Sequence, residues 1–345
     1  MKAVVMKEFS LSKGLVLVEL PVPKPQSWEV RIAVIASGFN PIDWKIRAGK
    51  FGGKTERVLG CECSGIVNAV GTDVKSFCVG DAVFALPFHR SSNGSYAEFV
   101  CLPETLVAKK PGGLSFEQAA VIPLATLTAY RATRSVSSCI DGANVLIAGA
   151  GGGVGGFVHQ FVKMQKDVSV YSLARDAASR QFLEEKIGIQ RERILIYGGL
   201  SESEIKQGLM GMTRGALFDA TYDLVGGTTK NVCLDMTNYS GHFATTLPEH
   251  GPNPPAVWPY SSIPFGRNLS VHLVNIGAEL DSDSRATWTV YQKQLKLIAE
   301  LLEKKSLLPP HTTIVGSLSA DTVQKAHDLL HAGRVKGKLV MSVNV

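Results

Sequence analysis

The 345-residue sequence predicts an α/β fold, a doubly wound parallel sheet coupled to a domain built on a small, irregular β-barrel. Three observations carry that expectation. The run Val145-Leu146-Ile147-Ala148-Gly149-Ala150-Gly151-Gly152-Gly153-Val154-Gly155-Gly156 reads as a buried strand breaking into a glycine turn that opens a helix. Beyond Asn144, apolar strands alternate with helical segments, the pattern of parallel strands joined by right-handed crossovers. Before about residue 110 the chain reads instead as short strands with frequent proline and glycine turns, which suits a small irregular barrel.

In chain order, the β-rich part is expected to hold strands at 2–6, 14–20, 30–37, 65–69, 82–85 and 96–100. Helical character begins near Ser115. The alternating part then offers strands at 145–148, 168–173, 194–197, 217–224, 242–245 and 269–274. The tail reads as a helix near 288–304, an extended piece, a helix near 321–332 and a strand at 338–345. It is expected to fold back onto the barrel, which sets the domains at 1–125 with 286–345, and at 126–285. A stretch at 246–266 carries prolines at 248, 252, 254, 255, 259 and 264 beside Trp258, Tyr260 and Phe265. It is either a substrate lid or pocket wall, or an inert surface insertion.

Composition bounds the function. With 45% hydrophobic and 19% charged residues the chain has ordinary globular balance, and its length allows about two domains. The net charge of +6 is scattered rather than gathered in runs, which argues against nucleic-acid binding. No segment approaches the ~18 apolar residues of a membrane span, and Met1–Glu8 is too charged for a signal peptide. Cysteines at 61, 63, 78, 101, 139 and 233 have no regular spacing, so no disulfide framework is expected, and a cytoplasmic location follows.

The glycine turn points to a dinucleotide. Val154, Phe157, Val158, Phe161 and Val162 recur at helical spacing directly after it. Glycines make the turn tight and let main chain approach a pyrophosphate, while the helix N-terminus offers unpaired N–H groups and a positive dipole end. Gly151, Gly152, Gly153, Val154 and Gly155 are the candidate pyrophosphate residues. Roughly twenty residues on, where a carboxylate normally holds the ribose, the next strand runs into Ala174 and Arg175; the first acid is Asp176. A guanidinium suits a 2′-phosphate, so NADPH is favoured over NADH. The plainer reading makes Arg175 and Asp176 a solvated charge pair.

The chain resembles the medium-chain dehydrogenase/reductase superfamily, specifically its zinc-independent quinone oxidoreductase-like branch. The resemblance rests on Gly38-Phe39-Asn40-Pro41-Ile42-Asp43-Trp44-Lys45-Ile46-Arg47, on Gly60-Cys61-Glu62-Cys63-Ser64-Gly65-Ile66-Val67 and on Val79-Gly80-Asp81-Ala82-Val83. It continues through Ile122-Pro123, Leu127-Thr128-Ala129-Tyr130, the glycine turn, Tyr222-Asp223-Leu224-Val225-Gly226-Gly227, Gly333-Arg334 and Gly337-Lys338. It implies a GroES-like barrel catalytic domain built from both chain ends, a Rossmann domain between them, and a cofactor in the cleft. A homodimer joined edge to edge through the Rossmann sheets is also implied, with 269–274 as the candidate edge strand.

Zinc-dependent relatives carry a Cys where this chain has Asn40 and a His where it has Cys61, with no replacement ligand near 124–128. Cys61, Glu62 and Cys63 could supply three ligands only if neighbours in an extended strand pointed the same way, so no metal is expected. Hydride addition to a quinone or an α,β-unsaturated carbonyl needs a Lewis acid least. The protein must then orient the nicotinamide and stabilise the oxygen that gathers charge. Asn40 is the candidate hydrogen-bond donor to substrate or nicotinamide. Lys45, where many relatives have tyrosine, would stabilise an enolate or give a proton, a bound water being the other proton donor, or else be a snorkelling lysine paired with Asp43. Asp43 itself is expected to fix a loop through backbone hydrogen bonds. Tyr197 would stand near the 2′-phosphate or be a partly buried aromatic at the sheet edge, and Arg180 is a weaker second partner or a plain helix-face charge. Thr128 would reach the nicotinamide side, and Val225 would meet the cofactor or belong to the core. Two alternatives stand beside the quinone or enone reductase: an enoyl-thioester reductase, and a non-catalytic NADPH-binding protein of the same fold.

Overall fold

The structure, a computed structural model, describes residues 1–87, 94–134, 136, 142–247, 266–281 and 284–343. The proline-rich expectation at 246–266 falls almost wholly outside the described residues. The chain forms two compact units, Met1–Leu127 with Gly277–Val345, and Thr128–Ile276.

The first unit opens with strands β1 (Lys2–Met6), β2 (Leu15–Glu19), β3 (Glu29–Phe39), β4 (Arg57–Val58), β5 (Cys63–Val70), β6 (Ala82–Ala85), β7 (Phe99–Pro103) and β8 (Val107–Lys109), with helices α1 (Pro41–Arg47) and α2 (Phe116–Ala120). The chain continues through α3 (Pro123–Arg134). The second unit holds β9 (Asn144–Ala148), α4 (Gly153–Lys163), β10 (Ser169–Ala174), α5 (Ala177–Phe182), β11 (Ile194–Ile196), α6 (Glu202–Met212), β12 (Phe218–Asp223), α7 (Thr228–Asp235), β13 (Thr237–Thr245) and β14 (Ser270–Leu273). The chain then completes the first unit with α8 (Thr289–Glu303), β15 (Thr312–Ser317), α9 (Ala320–His331) and β16 (Lys338–Ser342).

Side-chain alternation builds the first unit. Along β3, Val30, Ile32, Val34 and Ala36 are fully buried, every second residue, as a sheet with one core face requires. β3 is also its organising strand. It pairs antiparallel with β5 on one edge, and with β7 and then β16 on the other. The sheet runs β15-β16-β3-β5-β6-β8, and a second antiparallel sheet runs β2-β1-β4. The return of the C-terminal strand therefore closes the β-rich part around the Asn40 end of β3.

The second unit is a six-stranded sheet in the order β11-β10-β9-β12-β13-β14, parallel throughout. Numbered from β9, that is the 3-2-1-4-5-6 order of a doubly wound dinucleotide-binding sheet, whose direction reverses between β9 and β12. Val145, Leu146, Ile147 and Ala148 are buried on both faces, as a central parallel strand demands. Leu146, Tyr171, Leu173, Phe218 and Phe243 form a core with Ile205 and Leu209 of α6.

Three local expectations change. The strand placed at 96–100 lies at β7, three residues later, because Tyr96 is buried and Ala97 makes only a single bridge to Ala3. β13 begins at Thr237, with its register shifting between Phe218 and Ala220 of the partner strand. The Asn40–Arg47 segment is a helix, with Pro41 at its first position and the Asn40 N–H donating to Asp43 Oδ2 at 2.8 Å. Among the described residues no helix is long and apolar enough to cross a membrane.

Candidate functional site

In the second unit, β9 ends at Ala148 and Gly149 turns the chain at φ +90°. Gly152 then caps α4, and its N–H donates to the Gly149 carbonyl at 3.0 Å. The first N–H groups of an eleven-residue helix have no intrahelical acceptor and face whatever lies beyond the turn. Packing shows how close the turn is. A Cβ on Gly155 would stand 2.1 Å from the Gly149 carbonyl oxygen, which no real contact tolerates. Gly151 and Gly152 meet nothing nearer than 3.5 and 3.4 Å, so their value lies in the open space above them. Gly153 and Val154 form the first turn of α4.

The neighbouring strand ends correspond. β10 ends at Ala174, and Arg175 follows it, exposed. Asp176 is the N-cap of α5, accepting from the Ser179 N–H at 2.7 Å, which separates its task from that of Arg175. The Arg175 carbonyl accepts from the Gly198 N–H, and the Tyr197 N–H donates to Ala174, so Tyr197 stands beside the Arg175 loop. Arg180 stands closer to the second of its two readings, a helix-face charge. Its guanidinium is paired with Glu184 one helical turn along, at 3.6 Å, and that neutralising partner weakens it as a phosphate ligand.

Across the switch point, Asp223 at the end of β12 is fully buried. Its carboxylate accepts from the N–H groups of Val225 and Gly226 and from the hydroxyls of Thr229 and Thr245. Four donors on one carboxylate fix the loop that carries Val225. A Cβ on Gly149 would lie 2.9 Å from Val225 Cγ2, so this half-exposed valine covers the glycine turn and is not core. Thr128 is buried in α3.

In the first unit, β16, β3 and β5 lie side by side, with Leu339 opposite Phe39 and Ser37 opposite Cys63. That register gathers Lys338, Asn40 and Glu62 at one end of three strands. Glu62 Oε1 accepts from Asn40 Nδ2 at 2.8 Å and from the Lys338 ammonium at 2.5 Å, and Glu62 Oε2 accepts from the Leu124 N–H at 3.0 Å. Asn40 was the expected donor to substrate. Its amide, 2% exposed, is instead bound internally to Glu62 and Lys338.

A second polar group adjoins the first. Asp43 is fully buried beside Cys61 and Tyr96, and burial lifts its carboxyl to about 6. Burial also pushes the Cys61 thiol well up, so it stays protonated. The Tyr96 hydroxyl lies 3.3 Å from His327 Nε2, and burial drops that imidazole to about 3. Lys45 stands on α1, half-buried, with its ammonium 5.8 Å from the Trp44 ring centroid. Burial and the charge of Lys50 lower its pKa. It does not pair with Asp43. On a helix, residues two apart face different ways, and the Asp43 carboxylate turns back to the Asn40 N–H.

Sequence reading missed Lys338, Asp223, Tyr96 and His327 as site residues. The available signals were a lysine opening the apolar run Leu339-Val340-Met341, and an acid ending the apolar strand before Gly226-Gly227. Among the described residues no group of three or more His, Cys, Asp or Glu is arranged to hold a metal ion.

Comparison with known proteins follows the same division. Residues 26–112 match the alcohol dehydrogenase GroES-like domain family. A chloroplast envelope quinone oxidoreductase homolog of Arabidopsis thaliana is 32% identical over 257 residues, 72% of this chain and 74% of that protein. The synaptic vesicle membrane protein VAT-1 homolog-like of Mus musculus is 39% identical over 176 residues; the match spans 50% of this chain and only 41% of the relative. A mycobacterial structure complexed with NADPH superposes with a TM-score of 0.83 at 26% identity, covering 99% of each chain.

Proposed function

We propose, for a chain that belongs to the quinone oxidoreductase-like branch of the medium-chain dehydrogenase/reductase superfamily, an NADPH-dependent reduction of quinones or α,β-unsaturated carbonyls without a catalytic metal. The observation that carries this reading is the glycine turn at the switch point of a parallel sheet, with Arg175 at the tip of the next strand. The residues fit the cofactor. Gly155 has no room for a side chain, Gly151 and Gly152 leave space above the main chain, and the exposed guanidinium that follows the neighbouring strand favours a nucleotide bearing a 2′-phosphate. A structural relative was solved with NADPH.

When bound, NADPH supplies the hydride. The chain's residues do the rest. The N–H groups of Gly151–Gly155 hold the pyrophosphate, Arg175 holds the 2′-phosphate flanked by Tyr197, and Val225 provides an apolar cover beside Gly149. Thr128 belongs to the nicotinamide side. Lys45, its pKa lowered by burial, stabilises the substrate oxygen that gathers negative charge and returns a proton to it. Asn40 acts by positioning, through its bonds to Glu62 and to α1. The donor chemistry favours independence from zinc: the Glu62 carboxylate is already matched by an ammonium, and the Cys61 thiol is held protonated. The edge strand β14, with Leu273 66% exposed, supports pairing with a second copy of the chain.

The test is NADPH oxidation followed in stopped flow against a panel of quinones, enones and enoyl thioesters, with and without chelator. Turnover of quinones or enones that survives chelation supports the reading. Nucleotide binding with no turnover of any acceptor, or activity abolished by chelation, overturns it. Sedimentation of the purified chain tests the dimer.

A further inference from the structure

We propose that the Lys338 ammonium is the resident cation of the first unit's site, a positioning residue that holds the Asn40 turn, and through it α1 and Lys45, in working geometry. The consequence for turnover rests on the function proposed above; the positioning itself does not.

A lysine ammonium has three N–H donors, and here each has an oxygen. The Phe39 carbonyl lies at 3.0 Å, Asn40 Oδ1 at 2.5 Å and Glu62 Oε1 at 2.5 Å. The group is 4% exposed and Glu62 is fully buried, so water does not share the contact. Such a pair is costly to bury unless every hydrogen bond is made, and its proposed role here is to fix geometry rather than to add stability. What it specifies can be read from the other contacts. Glu62 Oε2 takes the Leu124 N–H at the first turn of α3, and Asn40, through its N–H to Asp43, caps α1. One cation thus ties the end of β3, the turn before β5 and two helix starts.

The main chain packs closely against the carboxylate. A Cβ on Gly38 would stand 2.6 Å from Glu62 Oε1 and equally close to the Ala120 carbonyl. The other buried ionisable groups alongside are Asp43, Cys61, Cys63 and Tyr96, and the Lys338 charge is felt by Asp43. The arrangement resembles a coordination sphere, three oxygens around one positive charge, with an amine nitrogen as the centre. Lys338 comes from the far end of the chain, so no local sequence pattern near Asn40 announces it.

The test compares wild type, Lys338→Met, Glu62→Gln and the double variant Glu62→Gln/Lys338→Met by amide hydrogen exchange, NADPH titration and steady-state kinetics. In Lys338→Met, exchange in residues 38–48 should accelerate about tenfold or more while β9–β12 stay protected. Loss of alignment should lower kcat by about tenfold to a hundredfold with NADPH affinity held within about twofold. The double variant, which removes both charges, should recover thermal stability but not kcat. Unchanged exchange in 38–48 overturns the proposal whatever the activity, and so does a double variant with full kcat. Should Lys338→Met fail to fold, Lys338→Ala is measured with added propylammonium: restored protection of 38–48 supports the proposal, and protection no better than with sodium overturns it. A wild-type protein that turns over no acceptor would sink the proposed function, yet the exchange readout would still decide this one.

Discussion

The glycine turn of the second unit and the charged cluster of the first solve opposite problems. The turn presents polarity outward from main chain alone: a helix start, a sharp glycine and open space, with Asp223 and Val225 as supports. The cluster turns polarity inward, with Glu62, Lys338, Asn40 and Asp43 all buried and bonded to one another. A surface meant to receive a variable, highly charged ligand is best built from donors that cannot rearrange. A scaffold that must hold a few reactive groups steady can use fixed internal charges, because nothing has to enter among them.

Substitutions that exploit this contrast should differ in size. Gly155→Ala drives a methyl into the Gly149 carbonyl, main chain against main chain, and should cost about 3 kcal/mol of stability by overpacking, read as a lowered Tm. A Tm within a degree or so of wild type would mean the turn is looser than described.

Arg175→Ala leaves the fold alone and acts on the ligand. Losing one charge-assisted contact should weaken NADPH by about ten- to a hundredfold in calorimetry, with NADH nearly unchanged. Equal losses for the two nucleotides would remove the phosphate assignment.

Proton linkage separates the units next. Burial holds His159, on α4, near 4 and His327, on α9, near 3, against an ordinary value of 6.5. Between those limits the unfolded chain binds more protons, so these groups make stability fall as pH drops from 6.5 towards 4. Asp43 works the other way. Its carboxyl is raised from 3.8 to about 6, so its contribution is full below 3.8 and is lost as pH rises to about 6. Two histidines outweigh one carboxyl, and urea unfolding should show a net acid loss. His159→Gln should flatten that limb by about 1.4 kcal/mol per pH unit; an unaltered slope would show that this imidazole is not buried neutral.

The smallest effect is expected from Gly151→Ala, whose new methyl meets only the Leu183 and Phe182 side chains at 3.5 Å. Its stability should change by less than about 1 kcal/mol. A loss as large as that of Gly155→Ala would erase the distinction between open and closed glycines in the turn.

Much of the second unit was legible because its signals are local. The apolar run Val145–Ala148, the glycines and the 3.6-residue stripe of α4 lie within about twenty residues, and each period has a single structural reading. The first unit's centre was not legible. Its decisive contact joins residues 276 positions apart, and no periodicity encodes a partner at that range. Placing Asp43 in a loop also misdirected two side chains. Once Pro41 and the Asn40–Asp43 contact make it a helix, Lys45 turns away from Asp43, and Asn40 becomes an internal strut instead of a free donor. For Arg180 the pairing with Glu184, four residues on, favours the helix-face charge over the second phosphate partner.

The threading of β16 beside β3 has a consequence for how the molecule is made. Glu62 leaves the ribosome 276 residues ahead of Lys338. At synthesis rates of about 5–20 residues per second the carboxylate waits some tens of seconds for its counter-charge. Through that interval the segment around Glu62 has the carboxylate but not the ammonium that matches it in the folded unit.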